Sequence, residues 1–174
     1  MRNQINGCLL SALLLGSLSG AEAAPNVRLY GTLVTEPCTV VSETIDVDFG
    51  TIVDKYLYLN EGHRTPGQRF AIELADCDLS LGNTVKVMFV GKESLALPGL
   101  LTVGDQNRGV AIGIETLSAQ AVKFNEATDA LALSSPNSQL DFKAYVQGEP
   151  DAVASQTIVR GAFSETASFR LDYP

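Results

Sequence analysis

The stretch GAFSETASFRLDYP, residues 161–174, decides the fold of this chain. Apolar and polar side chains alternate through its second half, the apolar ones being Ala167, Phe169, Leu171 and Tyr173. This period is typical of a strand with one buried face. The same alternation occurs in residues 27–33, where Val27, Leu29, Gly31 and Leu33 share one parity. A chain that begins and ends with such strands either closes on itself or pairs with another molecule.

The segments between these two ends also favour β-structure. Alternation predicts strands at residues 45–50, 70–74, 85–91 and 140–148, with further strands at 97–103, 110–115 and 156–173. Residues 121–133 are the one stretch whose pattern could be helical, and residues 60–68 are predicted to form a loop. The strand count indicates an all-β antiparallel sandwich.

The first residues have the features of a secretory signal. Arg2 precedes an apolar run at residues 8–18, and Ala21-Glu22-Ala23 provides a cleavage site. The apolar run is shorter than the roughly 20 residues that a membrane-spanning helix needs. We therefore expect residues 1–23 to be removed, although a retained anchor is the alternative.

The composition limits the partners. The net charge is −8, and removing the signal leaves it unchanged because one acidic and one basic residue are lost. An acidic surface argues against nucleic acid and against an anionic membrane as partners. We expect no membrane insertion.

Two cysteines remain after the signal, Cys38 and Cys77. An even pair in an exported protein indicates a disulfide, with two free thiols as the alternative. Closing that loop would stabilise the fold by about 4 kcal/mol in the chain-entropy description. One unresolved point is that Cys77 has the opposite parity to Ile72 and Leu74, so a bulge or a strand end is required if it points inward.

The sequence offers little for catalysis or metal binding. The single histidine, His63, lies in the predicted loop, and no nucleophile elbow, phosphate loop or zinc-protease motif occurs. Asp46 and Asp48 share one strand face that we expect to be solvated. Asp76 and Asp78 lack the further oxygen ligands that calcium takes. We predict a protein that is not an enzyme and that uses neither cofactor nor metal.

Gly31 is unusual inside an alternating strand, because glycine weakens strand interiors. It suits a position that another backbone approaches closely. An ordinary first strand with a bulge is the alternative. Residues 24–36 also precede Cys38, so they lie outside the disulfide loop.

The chain resembles the pilin subunits of bacterial chaperone–usher fimbriae. A glycine fourteenth from the end and a penultimate tyrosine are a signature of that family, and these are Gly161 and Tyr173 here. The other matching stretches are YGTLV at 30–34, PCTV at 37–40, VDFG at 47–50, FAIEL at 70–74, VMF at 87–89, LPGL at 97–100, FKAY at 142–145 and GAF at 161–163. Within the family the chain is most similar to the minor tip and adaptor subunits of type 1 and P pili.

The resemblance implies an incomplete immunoglobulin-like sandwich that lacks its last strand, formed by residues 37–174. Residues 24–36 would be an N-terminal donor-strand extension, with Val27, Leu29 and Leu33 donated to a neighbour and Gly31 at the position of close approach. The acceptor groove, which a chaperone also recognises, would be lined by Gly161, Phe163, Phe169, Leu171, Tyr173 and the terminal Pro174. Such strand addition to an open sheet edge is an established mode of recognition.

The resemblance also implies partners and a location. A periplasmic pilus chaperone would fill the groove. At an outer-membrane usher, the extension of the next subunit would replace the chaperone, so that neighbouring pilin subunits or a tip adhesin are joined. The subunit would be exported through the periplasm, would be assembled in the fimbrium on the cell surface, and would support adhesion. Glu165 departs from the pattern, because it lies on the parity of Gly161 and Phe163, where relatives place a small residue.

Two alternatives belong to other functional classes. The first is a single-domain adhesin that binds a host glycan or matrix protein. The second is a monomeric periplasmic binding or enzymatic domain. Specific binding of a glycan or matrix protein by the purified subunit would identify the first, and stability without any donor strand would favour the second.

Overall fold

The computed structural model describes residues 35–174. Antiparallel strands form two sheets with a hydrophobic core between them. Eleven elements and one 3₁₀ turn follow one another along the chain: β1 Thr39–Val40, α1 Asp54–Leu59, the turn Glu61–His63, β2 Gln68–Ala75, β3 Thr84–Val90, β4 Leu101–Thr102, β5 Val110–Thr116, β6 Ala121–Val122, β7 Leu131–Ala132, β8 Ser138–Gly148, α2 Pro150–Ser155 and β9 Ser168–Asp172.

The first sheet has the order β1-β2-β8-β5-β4, and β6 also pairs with β5. Its longest strand is β8, in which Leu140, Phe142 and Val146 point into the core while Gln139 and Asp141 are exposed. Alternation places these apolar residues on one face. This sheet confirms the predicted strands at 70–74, 110–115 and 140–148.

The second sheet has the order β7-β3-β9. Strand β3 is its centre, with Val85, Val87 and Phe89 buried. The two sheets meet through aromatic rings: the centroids of Phe89 and Phe142 lie 5.2 Å apart with their planes nearly perpendicular, a favourable edge-to-face arrangement. The chain is therefore an antiparallel β-sandwich, as predicted.

The disulfide joins Cys38 and Cys77. Strand β2 ends at Ala75, and Asp76 adopts a left-handed backbone with φ of 52°. This turn reverses the expected parity, so Cys77 is buried at 4% exposure. A strand end, rather than a bulge, resolves the conflict noted in the sequence.

Three predictions of secondary structure were wrong or too long. Residues 121–133 are not helical; they contribute β6 and β7, because Val122 and Phe124 alternate into the core. The strand predicted at 97–103 is reduced to β4, since residues 97–100 form a turn. The long strand at 156–173 is reduced to β9, because α2 ends at Gln156 in a left-handed conformation.

Candidate functional site

Strand β9 is an edge strand of the second sheet. Its residues pair with β3, with Phe169 opposite Phe89 and Leu171 opposite Val87. Among residues 35–174, no strand pairs with its other edge. An unpaired edge leaves a row of N–H and C=O groups ready to bond an added strand.

A second extended segment lies beside this region without joining a sheet. Residues 45–50 have the predicted alternation: Ile45, Val47 and Phe49 are half-buried, whereas Asp46 and Asp48 are exposed. Within the described residues, the backbone of 42–52 makes no backbone–backbone hydrogen bond. The prediction of a strand here was therefore correct for the side-chain pattern but not for sheet pairing.

Three observations place residues 49–54 along residues 158–163, with the two segments running in opposite directions. Arg160 Nε donates to Asp54 Oδ2 at 2.7 Å, and the ring centroids of Phe49 and Phe163 are 6.2 Å apart. Ile52 and Ile158 line the same pocket. We call the space between residues 45–54 and residues 158–173 the groove. Its walls carry the half-buried side chains Ile45, Val47, Phe49, Phe163, Phe169, Leu171 and Tyr173, all of which except Val47 pack against the core.

One end of the groove deepens into a pocket of about 200 Å³. Its apolar lining comes from Ile52, Leu57, Val110, Val146, Ile158 and Phe163. Helix α1 forms part of it: Leu57 is buried, and the hydroxyl of Tyr58 accepts a hydrogen bond from the backbone N–H of Ile158 at 3.3 Å. The pocket is large enough for one aliphatic side chain.

The predicted acceptor residues occupy this groove in part. Phe163, Phe169, Leu171 and Tyr173 are half-buried on its wall, whereas Gly161 and Pro174 are exposed. Gly161 has φ of 127°, a conformation that favours glycine. The predicted donor residues Val27, Leu29, Gly31 and Leu33 lie outside the described residues.

Tyr173 marks the other end of the groove. Burial raises the pKa of its phenol, and the nearby negative charge of Glu36 raises it further. Its buried hydroxyl has no hydrogen-bond partner among residues 35–174. The point at which the chain enters the domain therefore lies beside Tyr173, away from the pocket.

The side chain of Glu165 is not buried, although its place in the alternation with Gly161 and Phe163 suggested that it would be. Its side chain is exposed, and Oε1 accepts a hydrogen bond from the backbone N–H of Gly104 at 2.6 Å. Residues 160–167 form no backbone ladder within the described part of the chain, so parity there does not fix the direction of a side chain. The departure from the family pattern thus leaves the groove unobstructed.

Sequence reasoning missed the opposite wall and the pocket. Ile45, Val47 and Phe49 were assigned to an ordinary strand, and α1 was not predicted. The available signal was the alternation at 45–50 itself, which did not show where its sheet partner would come from.

Residues 35–174 contain neither a metal-ligating cluster nor a membrane-spanning helix. Within residues 35–174, no three His, Cys, Asp or Glu side chains are grouped to hold a metal ion. His63 is exposed, and its Nδ1 lies 3.0 Å from the carbonyl oxygen of Leu57. No helix in the same residues is long and apolar enough to cross a membrane.

Comparison with known proteins agrees with this geometry. Residues 27–174 match the fimbrial protein family. The Fimbria A protein of Serratia marcescens is 34% identical, covering 95% of each chain. The fimbrial adapter PapK of Escherichia coli is 31% identical over 92% of this chain and 95% of its own. The major MR/P fimbria protein of Proteus mirabilis is 28% identical over 96% and 94%.

Solved structures give the same fold. The P pilus rod subunit PapA superposes with a TM-score of 0.69 at 25% identity, covering 80% of this chain and all of that one. A chain from the structure of a chaperone–usher pilus gives 0.68 at 25% identity, with 86% and 95% coverage. Both support the incomplete immunoglobulin-like sandwich, and the family consists of structural proteins rather than enzymes. The chain therefore belongs to the fimbrial protein family and is a pilin subunit of chaperone–usher pili, exported and assembled into fimbriae at the cell surface.

Proposed function

We propose that the groove accepts an extended strand from a neighbouring pilin subunit and that this chain donates its own residues 24–36 in the same way. Subunits would then polymerise by donor-strand exchange. The observation that carries the proposal is the unpaired edge of β9 beside half-buried apolar side chains, with Phe49 facing Phe163 across the groove. In this scheme residues 1–23 are the signal and residues 37–174 form the pilin domain.

The donor segment fits the groove in spacing and chemistry. Val27, Leu29 and Leu33 occur at even separations, so in an extended strand they point to one side. Burying three aliphatic side chains contributes roughly 5–9 kcal/mol at about 1.5–3 each. Each added ladder hydrogen bond contributes about 0.5–1.5 kcal/mol. These terms make a tight joint without a covalent link.

The direction of the donated strand follows from the sandwich. Every strand pair in the described residues is antiparallel. A strand added antiparallel to β9 ends beside residues 158–163, so Leu33 is the donor side chain nearest the pocket. Gly31 then lies between Leu29 and Leu33, where the absence of a side chain lets the two backbones approach.

Before exchange the groove needs a temporary occupant, because an exposed apolar slot beside an open edge promotes aggregation. We propose a periplasmic pilus chaperone for this role, with an outer-membrane usher as the site of exchange. Pro174 is exposed two residues beyond the end of β9, and in this scheme its carboxylate would help to anchor the chaperone. The match to a chaperone–usher pilus structure supports this assignment.

For the position in the fibre we propose a minor, adaptor-type subunit that supports adhesion. The similarity to the adapter PapK supports it, whereas the similarity to the major MR/P protein and to the PapA rod subunit supports a rod position instead. The copy number of the chain in purified fimbriae distinguishes the two. A few copies per fibre support the adaptor position, and hundreds contradict it.

The direct test compares the mature chain with a version lacking residues 24–36, each with and without a synthetic peptide of those residues. We expect the peptide to raise the melting temperature of the shortened chain by more than about 10 °C, as expected for tight binding to the native state alone. The matched control is the same peptide with Leu29→Asp. A shortened chain that is a stable monomer and ignores both peptides would contradict the proposal.

A further inference from the structure

Exposed apolar side chains surround the pocket end of the groove. Val53, Tyr56, Leu59 and Val159 are 47%, 56%, 71% and 50% exposed. Val53 and Val159 also line the pocket, so this surface is continuous with the groove. The ion pair between Arg160 and Asp54 joins the two segments that carry it. We call these four residues the groove-end patch.

A second exposed apolar surface lies beside the point at which the chain enters the domain. Leu79 and Leu81, at 37% and 52% exposure, belong to the loop after the disulfide. The backbone N–H of Asp78 donates to the carbonyl oxygen of Pro37 at 2.8 Å, which holds this loop to the entry point. Gly82 also lies against Pro37. We call Leu79 and Leu81 the entry patch.

The two patches lie at opposite ends of the domain. Val146 of β8 lines the pocket. In contrast, the backbone N–H of Cys77 donates a hydrogen bond to the carbonyl oxygen of Pro136, just before β8 begins. The nine residues from Ser138 to Val146 span about 26 Å between their first and last Cα atoms in an extended strand. One chain therefore cannot bring its own patches together, but two chains placed head to tail can.

The length of the connection determines where the neighbour's domain lies. Only residues 34–37 separate Leu33 from Cys38, so the two Cα atoms are at most about 18 Å apart. When Leu33 of a donated strand reaches the pocket, the domain that donated it must lie against the end of the groove. The part of that domain nearest the connection is its entry patch.

Building on the proposed function, we propose that the entry patch of the donating pilin subunit packs on the groove-end patch of the accepting subunit. The partner is a second copy of this chain or a pilin of the same fold. The contact buries Leu59 and Tyr56 against Leu79 and Leu81. Because each surface meets a different one, the contact is heterologous and repeats along a fibre instead of closing a dimer.

The proposed contact also explains why the groove-end patch and the entry patch are apolar although the chain as a whole is acidic. A net charge of −8 makes copies repel one another. Neither patch itself contains a charged side chain, although exposed Asp78 precedes Leu79 and exposed Lys55 precedes Tyr56. The patches are too small to hold two subunits by themselves, and the contact therefore sets the orientation of domains that the donated strand already holds.

The test uses disulfide trapping in fibres of the full mature chain. One chain carries Leu59→Cys together with Leu81→Cys, and a second design carries Tyr56→Cys together with Leu79→Cys. The matched control carries Leu117→Cys together with Leu81→Cys, because Leu117 is 45% exposed on the turn after β5, away from the pocket. Fibres are confirmed by electron microscopy, oxidised mildly, boiled in SDS without reductant and resolved on a gel.

We expect at least one of the two designs to give a covalent ladder that disappears with reductant and exceeds the control at least fivefold. Fibres in which neither design exceeds the control would overturn the contact while leaving strand exchange intact. If the unmodified mature chain forms no fibres, the proposed strand exchange between copies of this chain fails, and the contact between copies fails with it. The two failures are thus distinguished by the microscopy.

Discussion

Phe49 and Phe163 face each other with ring centroids 6.2 Å apart, although no sheet joins their backbones within the described residues. The rings connect the two walls of the groove beside its pocket. They therefore contribute to the domain itself and, in the proposed joint, to the groove that holds the donated strand.

Replacing Phe163 should weaken the filled groove. Removing a fully buried phenylalanine costs about 3–5 kcal/mol, so we expect about 2–3 kcal/mol for half-buried Phe163→Ala. Denaturant unfolding of the subunit with the 24–36 peptide bound measures this. Phe163→Leu is the matched control and should cost less than about 1.5 kcal/mol. Equal losses for the two variants would show that the ring does not support the groove.

Changing the donor segment should block assembly while leaving the domain intact. Gly31→Arg places a long charged side chain where two backbones approach, and Leu29→Asp introduces a charge that must be buried. We expect both variants to bind the chaperone and to be absent from fibres, as assayed by co-purification and electron microscopy. Arg28→Ala, which changes the opposite face of the segment, is the control and should assemble. Fibres from Gly31→Arg would show that this segment is not the donor.

The buried carboxylate of Glu115 should make stability depend on acid pH. Burial raises the pKa of Glu115, but hydrogen bonds from Lys143 at 2.9 Å and Arg64 at 2.7 Å, together with their charges, outweigh it and lower the pKa below its ordinary value. The carboxylate therefore stabilises the fold above the pKa of the unfolded chain, and that contribution is lost as the pH falls through the lowered pKa of the folded state.

We expect Glu115→Gln to cost about 1–3 kcal/mol at pH 7, because it leaves two partly buried cations unpaired. Below about pH 4.5 the difference from the natural protein should shrink, since protonation removes the same charge. Urea unfolding of both proteins from pH 7 to pH 3 measures the change. Exposed Glu126→Gln is the control. A difference that stays constant across this range would contradict a role for the charge.

Gly113 provides space for the ring of Tyr145. A Cβ atom at Gly113 would overlap the Tyr145 ring, and the guanidinium of Arg64 lies 3.6 Å from the centre of that ring. We expect Gly113→Ala to destabilise the domain by about 1–3 kcal/mol through overpacking. In a Tyr145→Ala background the same change should cost almost nothing, and a double-mutant cycle of denaturant unfolding measures this coupling. Additive effects would mean that the ring is not the obstacle.

Reducing the bond between Cys38 and Cys77 should destabilise the domain. The chain-entropy description gives about 4 kcal/mol for a loop of this length. We expect Cys38→Ala with Cys77→Ala to unfold at correspondingly lower urea concentration. Adding reductant to the double variant should have no further effect, whereas reductant should lower the midpoint of the natural protein. Equal midpoints for all four samples would contradict this contribution.

Long regular alternation made the central strands predictable. Strand β8 has one buried and one exposed parity over most of its length, and the sequence displays this directly. The short edge strands β6 and β7 were not recognised, because two residues carry no measurable period and their pairing depends on distant strands. The environment of Glu165 could not be predicted either, because its hydrogen-bond partner Gly104 is 61 residues away in the sequence.

The candidate site was only half predictable for a similar reason. The wall containing Phe169 and Leu171 has a clear period, and the family resemblance indicated its role. At residues 45–50 the alternation was visible, but its partner strand belongs to no neighbouring segment in the described chain. In the proposed joint that partner strand comes from another molecule, and such a strand cannot be identified by local pattern alone.

The opposite placement of the chain entry and the pocket has a mechanical consequence. In a fibre joined as proposed, tension enters each domain near Pro37 at one end and leaves through the strand held beside β9. The load then runs along that strand, in shear, and the hydrogen bonds of the ladder resist it together. A joint pulled at right angles to its strands would open one bond after another. The same weak interactions therefore withstand far greater force in this geometry.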